Sequence, residues 1–266
     1  MKMKKLSIFA VAITAMAFTA CGGNKSAQTV EETKSFDQEQ VEEKIKMEID
    51  SLAANLGKLK QLPFVTKGEG GLQLTEEEKQ VKPDYLFNPS VAENATTLAE
   101  MYRMASALTV DKNIAAMYDM PTDEYEKAIT KLMADINDPS FKEVKDSTDF
   151  FAATEGLYEA MKANGRINYF WQLASASLVE EMYVMSQNSE KFLSVFDDES
   201  AANVTYRTTL LIDAIGRLVE YDPEIEPVAT ALKPLGELNA MTVDQLKTQL
   251  DEMKEEVASA RAALVK

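Results

Sequence analysis

The sequence of 266 residues contains no histidine and a single cysteine, Cys21. Without imidazole, the chain cannot form a Ser-His-Asp or Cys-His nucleophilic site, and no metal site can use histidine ligands. One cysteine excludes an internal disulfide, a CxxC redox pair and a thiolate cage around a metal. GxSxG and SxxK motifs are missing as well. We therefore expect a protein that is not an enzyme and that holds no metal or cofactor.

Basic residues are also few. The chain has 28 Lys+Arg against 44 Asp+Glu, which gives a net charge of −16. Because nucleic-acid binding depends on clustered lysine and arginine, this balance argues against a nucleic-acid partner. Apolar residues make up 45% of the chain, which is enough for a sizeable folded core.

The N-terminus has the pattern of a secretory signal peptide. Lys2, Lys4 and Lys5 precede a mainly apolar run of 13 residues from Leu6 to Phe18, in which Ser7 and Thr14 are the only polar residues. As a helix this run would reach roughly 20 Å, which is short of a hydrocarbon core of about 30 Å. The segment therefore indicates export rather than a membrane span.

The end of this leader, Phe18-Thr19-Ala20-Cys21, resembles the lipobox of bacterial lipoproteins. The resemblance implies that the Cys21 thiol is acylated, in part with palmitate, and that Cys21 becomes the new N-terminus. An alternative is ordinary secretion with cleavage after Ala15-Met16-Ala17, which would leave Cys21 as an unpaired thiol. We divide the chain into a signal peptide (1–20), a lipidated flexible tether (21–35) and an all-helical domain (36–266).

The lipoprotein resemblance also implies a location. The residue after Cys21 is Gly22 rather than the aspartate associated with inner-membrane retention, which favours the outer membrane. The start of the tether lacks an acidic run of the kind that resembles a surface-export signal, so the periplasmic face is favoured over the cell surface. The expected partners are the membrane, through the lipid anchor, and an envelope protein.

Apolar residues recur at steps of three and four through most of the remaining chain, which predicts helices. The fold class that follows is all-α, as a single multi-helix domain of antiparallel helical hairpins. The helices are expected at about 35–57, 89–105, 110–118, 122–136, 147–164, 166–187, 199–219 and 242–264, with Gly165 as a left-handed stop and Thr242 with Gln245 as a capping box.

One segment departs from the helical pattern. Phe64-Val65-Thr66 and Leu72-Gln73-Leu74 flank a glycine-rich loop, which is typical of a small β-hairpin near residues 64–74. The loop lacks the GK[ST] ending of a phosphate-binding loop, so we interpret it as a plain turn. The stretch from Lys82 to Tyr118 resembles a group of all-helical envelope lipoproteins without assigned activity.

The helix at 166–187 is apolar nearly all round, which predicts a central position. Helical phase places Glu181 close to its strongest apolar face, where a carboxylate must be paired, protonated or directed at a cavity. One interpretation is a ligand pocket beside Trp171 and Glu181. The other is a structural role, in which Glu181 either pairs with an arginine such as Arg207 or Arg217 or reaches solvent at the helix edge.

Acidic clusters at 76–78, 197–199 and 222–226 contain oxygen ligands suited to calcium. They also lie at predicted helix starts, where carboxylates act as caps, and we prefer that interpretation. The sequence thus favours a membrane-anchored lipoprotein with a non-catalytic interaction or assembly module. The alternative is a small-ligand-binding protein, or an enzyme without a motif, that uses the pocket near Trp171 and Glu181.

Overall fold

The computed structural model describes residues 36–66, 70–143 and 154–265. Every regular element in these ranges is a helix, and they contain no strand. The helices pack around one continuous apolar core. The predicted all-α fold class is therefore confirmed.

Eleven α-helices lie in the described ranges, joined by short connections and several 3-10 turns. Their bounds are α1 Phe36–Leu56, α2 Glu76–Gln80, α3 Leu98–Met117, α4 Asp123–Ile136, α5 Thr154–Ala163, α6 Ile167–Gln187, α7 Ser189–Phe192, α8 Asp198–Leu218, α9 Glu226–Leu232, α10 Val243–Glu252 and α11 Lys254–Leu264. Among them, none combines the length and apolar character needed to cross a bilayer.

Helix α6 is the central helix, as its apolar surface predicts. It packs against α3, α5, α8, α10 and α11, and sixteen of its residues are buried. Helix α3 lies between α6 and α4, while α1 packs across α8 and α5. Since α6 touches the C-terminal helix as well as α3, residues far apart in sequence meet along its length.

The predicted helices at 89–105 and 110–118 are wrong in their bounds. Pro89 begins a 3-10 helix that ends at Asn94, and a new α-helix begins after Thr97 and continues to Met117. The reason is a capping box: Thr97 accepts a hydrogen bond from the Glu100 backbone, and the Glu100 carboxylate accepts from the Thr97 backbone. This cap starts the helix nine positions later than the proline suggests.

The predicted β-hairpin at 64–74 is also wrong in the described part of that segment. Pro63 begins a 3-10 turn, in which the backbone N–H groups of Val65 and Thr66 donate to Leu62 and Pro63. Because these N–H groups already donate within the turn, they cannot also form the hydrogen bonds between paired strands that a hairpin requires. The chain returns so close that a Cβ at Gly71 would lie 1.9 Å from the Thr66 carbonyl oxygen, so only glycine fits there.

The last predicted helix is interrupted. Thr242 caps α10 by accepting a hydrogen bond from the Gln245 backbone, but the Gln245 side chain accepts from the Met241 backbone, so the predicted capping box is only half formed. The helix ends at Glu252, and α11 begins after Met253. Leu246, Leu250 and Leu264 are nonetheless buried. Both C-terminal helices are thus part of the core. The start of the fifth predicted helix, at 147–148, lies outside the described residues, whereas its end at Gly165 has the expected positive φ of 68°.

Candidate functional site

The structure places Trp171 and Glu181 in the interior, both with no exposed surface. They lie ten positions apart on α6. Of the two arginines expected near Glu181, Arg217 instead forms an ion pair with Glu48 of α1. Arg207 is fully buried on α8 and donates to the backbone oxygen of Lys60.

Trp171 belongs to an aromatic cluster. Its ring lies edge-on to Phe170, with centroids 5.1 Å apart, and to Tyr158, with centroids 6.2 Å apart. Such edge-to-face contacts stabilise a packed core. The indole N–H has no hydrogen-bond partner within the described ranges. Two clefts are described below, and neither Trp171 nor Glu181 lines either of them.

A buried ion pair that joins α6 to α11 was not predicted from the sequence. Arg261 of α11 donates to Glu180 through both Nε and Nη2, with distances of 2.8 Å to Oε2 and 2.6 Å to Oε1. The guanidinium lies between two aromatic rings, 3.6 Å from the centroid of Phe87 and 4.0 Å from that of Tyr183. Stacking and bidentate pairing together fix the arginine in one orientation.

A second carboxyl group completes this cluster. Asp111 of α3 is fully buried, 3.7 Å from Nη2 of Arg261, and its Oδ2 accepts a hydrogen bond of 2.7 Å from the Phe87 backbone. Burial raises the pKa of Asp111 well above its ordinary value, and the charge and hydrogen bond of Glu180 raise it further. Burial also raises the pKa of Glu180, although Arg261 opposes the shift. One cation cannot balance two buried carboxylates, so this surrounding favours the protonated form, most strongly at Asp111, where burial and the neighbouring Glu180 both raise the pKa.

A second polar network joins α3 to the start of α6. The Tyr102 hydroxyl donates to Asp138 at 2.5 Å, and Arg166 donates to the Tyr102 oxygen at 2.8 Å. Burial would raise the pKa of Asp138, but the hydrogen bonds from Tyr102 and Ser140 and the charge of Arg166 hold it below its usual value. Tyr102 also stacks on Tyr169, with centroids 4.8 Å apart. This network is satisfied internally and braces two helices.

A cleft of about 260 Å³ lies between α1 and α5. At its edge, Asp50 accepts hydrogen bonds of 2.6 Å from the Tyr158 hydroxyl and 2.8 Å from Lys162. Burial alone would raise the pKa of Asp50, but these two partners lower it, so the carboxylate is ionised. Because Asp50 is already paired with Lys162, the arrangement fixes α1 on α5.

The acidic clusters act as helix caps. Glu78 is part of a capping box with Thr75, Asp197 accepts from the Ser200 backbone, and Asp222 accepts from the Glu224 backbone. Within the ranges that the structure describes, no group of three carboxylate, cysteine or histidine side chains is placed to hold a metal ion.

Sequence reasoning missed the Arg261, Glu180 and Asp111 cluster, although a signal for two of its members was present. Arg261 stands between Val257 and Leu264 at apolar helical spacing, and Asp111 interrupts the apolar face of α3 in the same way. A charged residue at a core position predicts a buried partner. The partner itself could not be identified from spacing.

Cys21, the proposed lipidation site, lies outside the described residues. The chain matches no family model, no curated protein and no solved structure.

Proposed function

We propose that this chain is a cell-envelope lipoprotein, anchored by acylated Cys21, whose helical domain is a non-catalytic protein-interaction or assembly module. The observation that carries the proposal is the leader: a basic start, an apolar run too short to span a bilayer, and the only cysteine of the chain directly after it. A tether of residues 22–35 would extend to roughly 45 to 50 Å and give the domain reach from the membrane.

Acyl chains, rather than charge, would hold the protein at the membrane. Loss of Lys2, Lys4 and Lys5 with the leader lowers the formal net charge from −16 to −19. Such a surface is repelled by anionic lipid headgroups. Each buried CH₂ contributes about 0.8 kcal/mol, so two or more acyl chains suffice for stable anchoring. Gly22 favours the outer membrane, and the lack of an acidic run at the start of the tether favours its periplasmic face.

The interior supports a scaffold role. Asp111, Glu180 and Arg261 connect three helices, while Asp138 and Arg166 connect further elements through Tyr102. These groups are committed to one another, and Asp111 and Glu180 have no exposed surface through which a substrate could reach them. Charged groups that pair with one another inside the protein fix the positions of the helices that carry them. A fixed helix arrangement suits a module that presents a defined surface to a partner.

The anchor is tested by comparing wild type with Cys21→Ser in a bacterial host. We expect wild type in the membrane fraction, with an N-terminal peptide that begins at Cys21 and carries the mass of acyl groups. Cys21→Ser should be uncleaved at this site and should lack the added mass. A wild-type N-terminus at Phe18, with a free thiol at Cys21, would contradict the anchor.

The interaction role is tested by crosslinking in native membranes, followed by purification of the tagged protein. We expect a defined partner band that disappears when the domain 36–266 is replaced by an unrelated helical domain on the same anchor. If the replacement yields the same bands, the contacts arise from the anchor alone and the interaction role is wrong.

A further inference from the structure

A groove runs along the contact between α9 and α11. Its volume is about 660 Å³, which lies within the usual range of binding clefts. Small side chains form its floor, namely Ala231, Ala260 and Ala263. Ala231 and Ala260 are almost fully buried. Because these side chains are short, the backbone of an occupant can approach the two helices closely.

Glutamates form the walls. Glu226 begins α9, and Glu255 and Glu256 lie in the first turn of α11; all three are exposed and line the groove. None forms an ion pair with another residue of the described ranges, and the lining contains no lysine or arginine. The helix dipole explains a carboxylate in each first turn. It does not explain why two such turns meet along one groove.

The arrangement of these carboxylates does not suit a metal ion. In the described part of the chain, no three carboxylates converge closely enough to coordinate one cation. The negative charges are instead spread along a groove with a small apolar floor. A matching occupant has several positive charges separated by small apolar groups.

We propose that this groove binds a lysine- and arginine-bearing segment of a partner protein, with small apolar side chains between its positive charges. The inference rests on the proposed function, because it names the class of partner that the interaction module takes. The acidic domain attracts such a segment over a distance, and the groove selects it by fit. Salt screens the attraction, so binding weakens as ionic strength rises.

The test uses isothermal titration calorimetry with the mature protein, its tether included and Cys21 replaced by serine. The probe is a synthetic peptide of about nine residues in which lysines alternate with pairs of alanines. A matched peptide has glutamine at every lysine position. Two kinds of variant probe the groove. The charge variant combines Glu226→Gln, Glu255→Gln and Glu256→Gln and removes the negative charge of the lining. The filling variant, Ser259→Phe, places a ring in the groove without changing its charge.

The control variant removes the same number of charges from another exposed first turn. It combines Asp123→Asn, Glu124→Gln and Glu126→Gln in α4. Thermal unfolding of every variant shows that the fold is retained. Should Ser259→Phe fail to fold, Ala263→Leu serves as the filling variant, since Ala263 is partly exposed in the same groove.

We expect the lysine peptide to bind and the glutamine peptide not to bind. The groove charge variant should weaken binding about tenfold or more, the filling variant at least about fivefold, and the α4 control less than about twofold. Equal weakening by both charge variants, or full binding by the filling variant, would overturn the proposal. Comparable affinity for spermine, with no advantage of the peptide, would identify a small polyamine as the occupant instead and would also overturn it.

This outcome is separable from that of the proposed function. If the crosslinked partner in native membranes is retained by the groove variants, the interaction role stands and the groove is the wrong surface. If no domain-dependent partner is found although the peptide binds the groove, the proposed function fails while the groove remains a cation-binding surface.

Discussion

The guanidinium of Arg261 and the carboxylate of Glu180 form a bidentate ion pair inside the protein, although they lie 81 positions apart in sequence. The pair attaches the C-terminal helix α11 to the central helix α6. Asp111 extends the contact to α3. A single buried cluster therefore positions three helices.

Replacing Arg261 with methionine should destabilise the protein strongly. The substitution leaves the Glu180 carboxylate buried without its partner, and breaking a buried pair from one side typically costs about 3 to 5 kcal/mol. The free energy of unfolding, measured by urea denaturation at neutral pH, checks this. The matched control is Arg217→Met, whose ion pair with Glu48 is partly exposed and should contribute about 1 kcal/mol or less. Similar losses for both variants would contradict the special role of Arg261.

The buried carboxyl pair should make stability fall as pH rises. The folded-state pKa values of Asp111 and Glu180 lie above their ordinary values, so the folded protein binds protons more tightly than the unfolded chain. This contribution is complete below about pH 4 and is lost progressively as the pH rises through the folded-state pKa. The slope is up to about 1.4 kcal/mol per pH unit for each proton.

Asp111→Asn should flatten that dependence, because asparagine keeps the shape and can donate to Glu180 without a titratable proton. Denaturation series between about pH 4 and pH 9 measure the difference from wild type. The surface variant Asp135→Asn serves as the control and should keep the wild-type slope. An Asp111→Asn slope equal to that of wild type would show that Asp111 carries no shared proton.

Glu100 should stabilise the start of α3 in the opposite pH direction. Its carboxylate accepts hydrogen bonds from the backbone N–H groups of Thr96 and Thr97, which lower its pKa to about 2. The stabilisation is present above the ordinary pKa of a glutamate and is lost as the pH falls through about 2. Because Glu100 is partly exposed, Glu100→Ala should cost only about 1 kcal/mol at neutral pH, and less near pH 2. Glu93→Ala, at an exposed position just before this turn, is the control.

Deleting residues after Ala240 should unfold the domain. The deletion removes the buried side chains of Leu246, Leu250, Val257 and Leu264 and takes away the partner of Glu180. Both C-terminal helices pack their apolar side chains into the core, so neither can detach without exposing them. Circular dichroism and size-exclusion chromatography of the truncated protein should show lost helicity or aggregation. A monomeric, cooperatively melting product would show that the core does not need α10 and α11.

Local signals in the sequence determined the fold class and the burial of single residues. Apolar spacing predicted α1, α4, α6 and α8 within a few residues, and helical phase placed Glu181 close to the apolar face of α6, because both depend only on side chains within a few turns. That Glu181 is buried and does not reach solvent at the helix edge was decided by the packing of the neighbouring helices. Where two local signals compete, spacing does not decide between them. Pro89 and Thr97 both mark helix starts, and the capping box at Thr97 begins the α-helix.

Only the tertiary structure decided which charged groups meet. Arg217 was a candidate partner for Glu181 but pairs with Glu48, while Arg261, from the far end of the chain, reaches the neighbouring Glu180. The groove between α9 and α11 likewise exists only because two helix starts come together on one surface. A buried charge requires a partner, and sequence spacing reveals that requirement. The identity of the partner depends on how distant helices pack, which no local pattern encodes.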